Sequence, residues 1–342
     1  VESGDYQGVY ELFCGDKYVD HVLFILDMFS VPSYSVTFIL GIVGNLLVIW
    51  ITGFKLKCIS AITVNVVWFL NLAIADFIFL FFLPLSITYL ALGFHWPFGN
   101  FMCRFNSALA FLNMFASIFM LTVISIDRFI CVFFPVWAQN HRTTGLASIV
   151  AVIVWILSLS FSITYFIFRD TYGTEDIVCV YNFHEDDFEL FVLRHKATVI
   201  TRFIVGFLIP YTVIASCYTV IALRLHRNRM TTSSKPFTII IAVLISFFVC
   251  WFPYHVLSLL EISLYSVEDD FLSSVLPIGL PIASSLAFFN SSINPFLYVF
   301  IGQDFKAIFR TSIQSIFEKA FSEDSVQGDS KSKSTGLDSS TV

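Results

Sequence analysis

Four charged side chains interrupt long apolar runs of this sequence: Asp76, Asp127, Arg128 and Arg202. A charge inside an apolar medium is costly, so each of the four is a candidate functional residue. Asp127 and Arg128 are adjacent near the end of an apolar run, which indicates an ion pair that can be broken. An arginine at a membrane edge can also serve only as an interface anchor. The chemistry that these residues suit is ion binding and the exchange of ion-pair partners.

Polar residues in other apolar runs lie at depths similar to that of Asp76, the first of these charges. Carboxylate, amide and hydroxyl oxygens are ligands that suit a hard cation, so the group is a candidate site for a hydrated sodium ion. The alternative is a purely structural network of hydrogen bonds. The candidate sodium ligands are Asp76, Asn113, Ser117, Asn290 and Asn294, with Asn45 at a similar depth.

Arg202 lies deep in the fifth apolar run, 8 residues before Pro210 and, by the predicted span, two turns into its helix. Such an arginine needs a counter-charge. If Glu261 supplies it, Arg202 is structural. Otherwise a ligand supplies it, and a peptide carboxylate suits the two parallel hydrogen bonds of a guanidinium. The predicted ligand-binding residues are Arg202 and Glu261, with an aromatic wall of Phe111, Tyr254, His255 and Phe288.

The elements that must position these residues are membrane helices. Of 342 residues, 57% are hydrophobic and 13% are charged, against about 45–50% and about 25% in soluble domains. Segments long enough to cross a bilayer must be helical, because lipid offers the backbone no hydrogen-bond partners. The sequence predicts an all-α membrane protein, a seven-transmembrane helix bundle with a short amphipathic eighth helix. The predicted spans are 29–53, 63–90, 100–133, 146–168, 197–224, 236–262 and 275–300.

Charge and composition divide the chain into four parts. Residues 1–28 form an acidic arm, 29–301 the bundle, 302–320 an amphipathic helix on membrane lipid, and 321–342 a disordered tail with hydroxyls that can accept phosphate. Lys and Arg lie in the connections that follow the odd-numbered spans, which predicts a cytoplasmic face there and an extracellular N-terminus. The front lacks a signal-peptide pattern, so we expect the first span to serve as signal anchor. The sequence has no basic patch of the size that nucleic-acid binding needs, so nucleic acid is not an expected partner.

Nearly every span carries a motif that resembles the rhodopsin-like G-protein-coupled receptors. The motifs are Gly44-Asn45, Leu72-Ala73-Ile74-Ala75-Asp76, Asp127-Arg128-Phe129, Trp155, Cys250-Trp251-Phe252-Pro253-Tyr254 and Asn294-Pro295-Phe296-Leu297-Tyr298. Their order and spacing match over about residues 25–320. Three further stretches, His95–Gly99, Pro135–Thr143 and Gly302–Phe305, resemble the chemoattractant branch that holds formyl-peptide and chemerin receptors. Phe69–Phe77 and Phe168–Thr171 are more similar to the chemerin receptors.

The resemblance implies a plasma-membrane receptor for an extracellular chemoattractant peptide or small protein. Its partner would be an inhibitory-type heterotrimeric G protein, with receptor kinases and arrestin acting on the tail. We expect a shift of conformational populations, no enzymatic activity, and no cofactor other than a sodium ion. Trp251 and Phe247, one turn apart, either couple the ligand to the Pro253 kink or simply pack together. The implied switch residues are Asp127, Arg128, Phe247, Trp251, Pro253, Asn294, Pro295 and Tyr298.

Specific residues argue against other classes of membrane protein. The seventh span has no lysine for a retinal Schiff base, and Ala110 stands where amine receptors carry an aspartate. Phe111 stands where formyl-peptide receptors carry an acid, so that type of receptor is the second choice. The departure Asp-Arg-Phe from the commoner Asp-Arg-Tyr keeps open a receptor that captures ligand with weak or no G-protein signalling. A transporter or channel is disfavoured, because this sequence lacks the internal repeat that is expected of transporters.

One disulfide is predicted among seven cysteines. A helix from Cys103 to Arg128 would span roughly 38 Å, so these two residues lie in opposite compartments. Cys103 and Cys179 both fall on the predicted oxidising side, whereas Cys58 and Cys131 face the cytosol. The bridge would tie the acidic loop to the third helix and leave Cys14 unpaired.

Overall fold

The computed structural model describes residues 16–55, 63–174, 177–227, 235–265 and 270–301. Within these residues the chain is largely helical, with one short β-hairpin. The helices are α1 (Asp16–Trp50), α2 (Val64–Ala91), α3 (Gly99–Phe133), α4 (Pro135–His141), α5 (Thr144–Ile167), α6 (Phe188–Phe203), α7 (Ile209–Arg227), α8 (Lys235–Glu261) and α9 (Asp270–Ile301). The strands β1 (Arg169–Tyr172) and β2 (Val178–Tyr181) lie between α5 and α6.

Seven stretches of these helices are long and apolar enough to cross a membrane. They are Phe29–Gly53, Val64–Ala91, Gly99–Phe133, Thr144–Ile167, Phe188–Arg224, Ile241–Glu261 and Phe271–Leu297. The predicted all-α, seven-transmembrane bundle is confirmed. The predicted eighth helix, the tail and residues 1–15 of the acidic arm, with Cys14, lie outside the described residues, as does Cys58.

Two helices begin much earlier than the sequence predicts. Helix α1 begins at Asp16 rather than at residue 29, and α6 begins at Phe188 rather than at 197. The early turns of α6 carry charged side chains that lower the local hydropathy without breaking the backbone hydrogen bonds. Asp187 caps α6, because its carboxylate accepts a hydrogen bond from the Leu190 amide over 3.0 Å. The placement of Arg202 two turns into its helix is therefore wrong, and it lies about four turns in.

Helix α3 lies at the centre of the bundle. In its most apolar window 67% of the residues are buried, against 44% or less in the other spans. Met114 and Ile118 on this helix are fully buried in the main hydrophobic core. Helix α3 contacts α2, α5 and α7. Because it is one continuous helix, it carries residues at both ends of the bundle.

A π-helical turn, Ile204–Leu208, joins α6 to α7 and ends just before Pro210. Such turns absorb an extra residue and often occur at functional sites. Gly206 lies in this turn, where an added Cβ would stand 3.0 Å from Met114 Cε and 3.1 Å from Phe115 Cε1. The absence of a side chain at Gly206 thus lets the fifth membrane span approach α3 closely, one turn below Arg202.

The hairpin is held against the top of α3 by covalent and polar contacts. Cys103 and Cys179 form the predicted disulfide, with Cα atoms 5.8 Å apart. Asp170 on β1 pairs with Arg104 on α3 over 2.9 Å and accepts a hydrogen bond from Asn100. The Trp96 amide donates to the Ile177 carbonyl over 2.7 Å. The hairpin therefore forms one wall at this end of the bundle, called the hairpin end below.

Candidate functional site

A cavity of about 330 Å³ opens between the membrane helices at the hairpin end. Side chains of α2, α3, α6, α8, α9 and the hairpin line it. Five of the six predicted ligand-binding residues do so, namely Phe111, Arg202, Tyr254, Glu261 and Phe288. A cavity with apolar walls and a few converging charged groups is the usual form of a small-ligand site.

Arg202 is a buried charge in the wall of this cavity. Its side chain is only 4% exposed, and its guanidinium carbon lies 4.8 Å from the centre of the Tyr254 ring and 5.2 Å from that of Phe111. The Phe111 ring is in turn stacked on Tyr165, with ring centroids 3.5 Å apart. Cation–π contacts of this kind stabilise a buried guanidinium but satisfy none of its N–H donors.

The charges around Arg202 leave it without an ion pair in the described part of the chain. No carboxylate of these residues lies within 4.0 Å of its nitrogens, and its Nε is buried with no hydrogen-bond partner. Glu261 lines the same cavity and is close enough to interact electrostatically, but it forms no ion pair with Arg202. A buried donor without an acceptor is costly, which favours an acceptor brought by a ligand.

The remaining predicted wall residues divide between two positions. Phe288 lines the far side of the cavity, packed against Tyr34 and Phe79 with ring centroids 5.1 and 4.9 Å away. His255 does not line the cavity. It is 1% exposed and packs against Phe207, with ring centroids 4.9 Å apart. His255 is therefore part of the packing between α8 and the fifth membrane span.

Sequence reasoning missed several polar cavity residues, among them Arg169, Tyr181 and His195. Arg169 lies 4.2 Å above the Tyr181 ring, so the hairpin supplies a second guanidinium at the cavity wall. Burial raises the pKa of Tyr181 to about 12, although Arg169 acts in the opposite direction. His195 Nδ1 lies 3.0 Å from the Tyr265 hydroxyl. These residues come from a loop that folds back and from turns outside the predicted span, and no pattern in the sequence places them.

Below the cavity a buried polar network connects α2, α3 and α9. Asp76 is fully buried and accepts hydrogen bonds from Asn113 over 2.8 Å and from Asn294 over 2.9 Å. Ser291 donates to Asn113 over 3.0 Å. The sequence-predicted set of Asp76, Asn113 and Asn294 is thus brought together, and Ser291 is a member that the sequence did not single out.

Three buried oxygens among the predicted polar residues have no hydrogen-bond partner: Asn45 Oδ1, Ser117 Oγ and Asn294 Oδ1. Carboxylate, hydroxyl and amide oxygens are the ligand types that a hard cation prefers. Asn113 donates to Asp76 and accepts from Ser291. Asn290 is buried, and its Nδ2 has no partner.

The predicted switch residues are spread along the bundle, with Asn294 in this network and Asp127 and Arg128 at the end opposite the cavity. Phe247 and Trp251 on α8 are stacked with ring centroids 5.9 Å apart, and both are buried. Trp251 also lines the floor of the cavity. Pro253 lies inside α8 and Pro295 inside α9, where each removes a backbone hydrogen bond. Tyr298 belongs to α9, and its side chain lies outside the described residues.

At the opposite end, Asp127 has a partner that the sequence did not predict. Arg142, directly after α4, donates from Nε to Oδ1 over 2.7 Å and from its terminal nitrogen to Oδ2 over 3.0 Å. Arg128 lies farther away, 3.5 Å from Oδ2. Partial burial acts to lower the pKa of Arg142, but the hydrogen bonds and charge of Asp127 outweigh it and raise that pKa.

A seven-helix bundle with a ligand-sized cavity at one end and an Asp-Arg pair at the other has the architecture of a transmembrane receptor. Residues 44–298 match the family model of the 7 transmembrane receptor (rhodopsin family). The chain is 46% identical over 314 residues to chemerin-like receptor 1 of Rattus norvegicus, covering 88% of this chain and 82% of that one. The protein belongs to the rhodopsin family of seven-transmembrane receptors.

Two further relatives support the assignment. Chemerin-like receptor 1 of Homo sapiens is 43% identical over 350 residues, covering 95% of this chain and 91% of that one. Chemerin-like receptor 2 of Macaca fascicularis is 43% identical over 300 residues, covering 87% and 83%. The resemblance to chemerin receptors that the sequence motifs indicate is confirmed. A multi-pass plasma-membrane receptor with an extracellular ligand and a G-protein partner follows from the family.

Proposed function

We propose that this protein is a cell-surface receptor for a chemerin-like chemoattractant peptide or small protein, with its N-terminus outside and an inhibitory-type G protein as its partner. Arg202 carries the proposal, because its buried guanidinium faces the cavity without an ion-pair partner among the described residues. A peptide carboxylate would supply an acceptor for the unpartnered Nε together with the counter-charge that the guanidinium lacks.

The other cavity residues define the chemistry of that ligand. Among the described residues that line the cavity, Arg169 and Arg202 carry guanidiniums and Glu261 carries the one carboxylate. An anionic group is therefore favoured. Phe111 and Tyr254 present ring faces to the Arg202 guanidinium, and Phe288 lines another part of the cavity, which suits apolar or aromatic side chains next to the anion. The ligand end that enters the cavity is thus an acidic terminus with aromatic or aliphatic neighbours.

Signalling then follows as a change in conformational populations. A ligand that binds the active form better shifts the equilibrium toward it. Trp251 touches the cavity and stacks on Phe247, and both lie on α8 within two turns of the Pro253 interruption. Repacking of this pair would swing the opposite end of α8 away from α3 and free Arg128 to bind the G protein. A sodium ion held by Asp76, Ser117 and Asn294 would stabilise the inactive form, and receptor kinases and arrestin would act on the tail.

A receptor that captures the ligand without activating a G protein is the second candidate. The sequence feature that favours it is Asp127-Arg128-Phe129, which departs from the commoner Asp-Arg-Tyr of the family. A formyl-peptide type of receptor is less well supported, since Phe111 rather than an acid faces the cavity beside Arg202. These alternatives differ in ligand and in output, so both can be measured separately.

The deciding experiment is nucleotide exchange on purified heterotrimers by the receptor in lipid nanodiscs. Chemerin, formyl peptides and a panel of other chemoattractant peptides would be compared in binding and in exchange. We expect chemerin or a chemerin-like peptide to bind and to accelerate exchange on an inhibitory-type heterotrimer. Binding without exchange would identify a capturing receptor, whereas exchange driven only by formyl peptides would overturn the proposed ligand class.

A further inference from the structure

Among the described residues, the shortest ion pair at the end of the bundle opposite the cavity joins a helix to a loop. Arg142 engages both oxygens of Asp127, at 2.7 and 3.0 Å. A bidentate contact of this kind is stronger and more directional than a single one. The neighbouring Arg128 is farther from this carboxylate, with its terminal nitrogen 3.5 Å from Oδ2. The closest partner of the Asp127 carboxylate is therefore Arg142 and not Arg128.

A second acceptor is shared by the same two arginines. Asn65, in the first turn of α2, accepts a hydrogen bond at Oδ1 from Arg142 over 2.7 Å and another from Arg128. The Nε of Arg128 is buried and has no partner. The side chains of Asp127 and Arg128 are only 12% and 15% exposed, so water does little to replace a missing acceptor. Two guanidiniums thus compete for one carboxylate and one amide oxygen.

We propose that Arg142 is a positioning residue that withholds Asp127 from Arg128 and thereby sets how readily the ligand-free receptor engages a G protein. The proposal rests on the G-protein coupling proposed above. Asp127 is the carboxylate that would otherwise hold Arg128 in its resting position. Because Arg142 occupies both oxygens, Arg128 is restrained mainly through Asn65 and is released at a lower cost in free energy.

The alternative role for Arg142 is that of a tether which only holds α4 and its loop against α3. The two roles predict opposite effects. Loss of a tether loosens the loop and leaves ligand-free exchange unchanged or raised. Loss of a competitor gives Asp127 to Arg128 alone and lowers ligand-free exchange. The effect of a competitor also requires the Asp127 carboxylate, which provides a test by double substitution.

The experiment measures nucleotide exchange on a purified inhibitory-type heterotrimer by the full-length, ligand-free receptor in nanodiscs. Affinity for the nucleotide-free heterotrimer is a second readout. We expect Arg142→Gln to lower both by about two- to five-fold, as for loss of one partly exposed ion pair. Arg142→Lys keeps the positive charge but loses the bidentate guanidinium. Its exchange rate and affinity should therefore lie between those of the wild type and Arg142→Gln. In an Asp127→Asn background, Arg142→Gln should have no further effect.

Thr143→Ala is the matched control for a loosened loop. The Thr143 hydroxyl caps α5 by accepting from the Leu146 amide over 3.2 Å, next to Arg142 but without contact to Asp127 in the hydrogen bonds of the described residues. A rate lowered equally by Thr143→Ala would assign the effect to the loop and overturn the proposal.

Three other outcomes also decide the question. An unchanged or raised rate in Arg142→Gln overturns the role of Arg142, as does a further fall in the Asp127→Asn background. A wild-type receptor that neither drives exchange nor binds heterotrimer without ligand overturns it as well, because no ligand-free activity would exist for Arg142 to set. Failure of the wild type even with bound agonist would instead overturn the proposed coupling itself.

Discussion

The Asn294 side chain on α9 donates a hydrogen bond to Asp76 Oδ2 on α2 over 2.9 Å. Asp76 therefore ties the most proline-interrupted helix among the described residues to the centre of the bundle, since α9 contains Pro277, Pro281 and Pro295. Any rearrangement of α9 near Pro295 must break or move this bond. A ligand or ion that stabilises the bond will bias the conformational equilibrium.

The first prediction concerns sodium. Binding of agonist to the wild type should weaken about five-fold or more when sodium replaces choline at constant ionic strength, because the ion would stabilise the inactive form. Asp76→Asn removes the charge and should abolish this dependence, whereas Ser117→Ala removes one oxygen and should reduce it. Competition binding in the two salts measures the effect. Equal insensitivity of wild type and Asp76→Asn would leave a purely structural network.

The second prediction concerns Arg128. Arg128→Ala should retain agonist binding, since the residue lies at the opposite end from the cavity, and should lose agonist-driven nucleotide exchange. Arg128→Lys keeps a point charge but not the planar fork and should recover only part of the rate. Paired binding and exchange assays on the same nanodisc preparation separate the two properties. A normal exchange rate in Arg128→Ala would remove this residue from the coupling mechanism.

The third prediction concerns Asp170, which anchors the hairpin. Its carboxylate pairs with Arg104 over 2.9 Å and accepts from Asn100 and from the Thr171 amide. Asp170→Asn should leave the disulfide intact but weaken agonist binding by about 1–3 kcal/mol, because the cavity wall that carries Arg169 loses its anchor. Asp187→Asn is the control, since asparagine also caps a helix and should change little. Equal effects of the two variants would contradict the anchoring role.

The fourth prediction concerns helix packing. A Cβ at Gly44 would stand 2.9 Å from Pro295 Cβ, and the proline ring cannot yield as a flexible side chain can. Gly44→Ala should therefore destabilise the bundle by about 1–3 kcal/mol and lower the midpoint of thermal unfolding. Gly53→Ala is the matched control, since no atom lies within 4 Å of its Cβ position. Equal midpoints for the two variants would show that α1 and α9 can separate at no cost.

The helix bundle and its charged positions were predictable because each is visible as a local pattern in the sequence. A run of apolar residues fixes a membrane helix, and a charge inside such a run stands out whatever its partner. The disulfide followed from Cys103 and Cys179 once the two membrane faces were assigned. The beginning of α6 was not predictable from hydropathy, because Glu189 and Lys196 make its first turns polar although the backbone continues as a helix.

Contacts that depend on how loops fold back were also beyond the sequence. Arg142 reaches Asp127 only because α4 turns the chain back toward the end of α3. Arg169 reaches the cavity only because β1 and β2 form a hairpin over it. His255 had the right spacing for a wall residue, but it packs against Phe207 and does not line the cavity. Side-chain direction within one turn of a helix is decided by packing.

The last prediction concerns Arg202 and the charge of the ligand. Arg202→Ala should weaken a peptide agonist with a free C-terminal carboxylate by about 2–5 kcal/mol, because the carboxylate would then be buried without a partner. Arg202→Lys should recover only part of the loss, since an ammonium makes no bidentate contact. Equilibrium binding to purified receptor measures both. Tyr254→Phe keeps the ring face below the guanidinium and is the matched control for the aromatic contact, with little expected change.

Amidation of the peptide distinguishes a direct contact from a structural role. If the guanidinium binds the carboxylate, amidation should cost the wild type nearly as much as Arg202→Ala does, and should cost Arg202→Ala almost nothing further. If Arg202 only supports the cavity through Tyr254 and Phe111, amidation should cost both receptors the same. Equal costs would show that Arg202 is not the carboxylate-binding residue, and Arg169 on the hairpin would then be the next guanidinium to test in the same cycle.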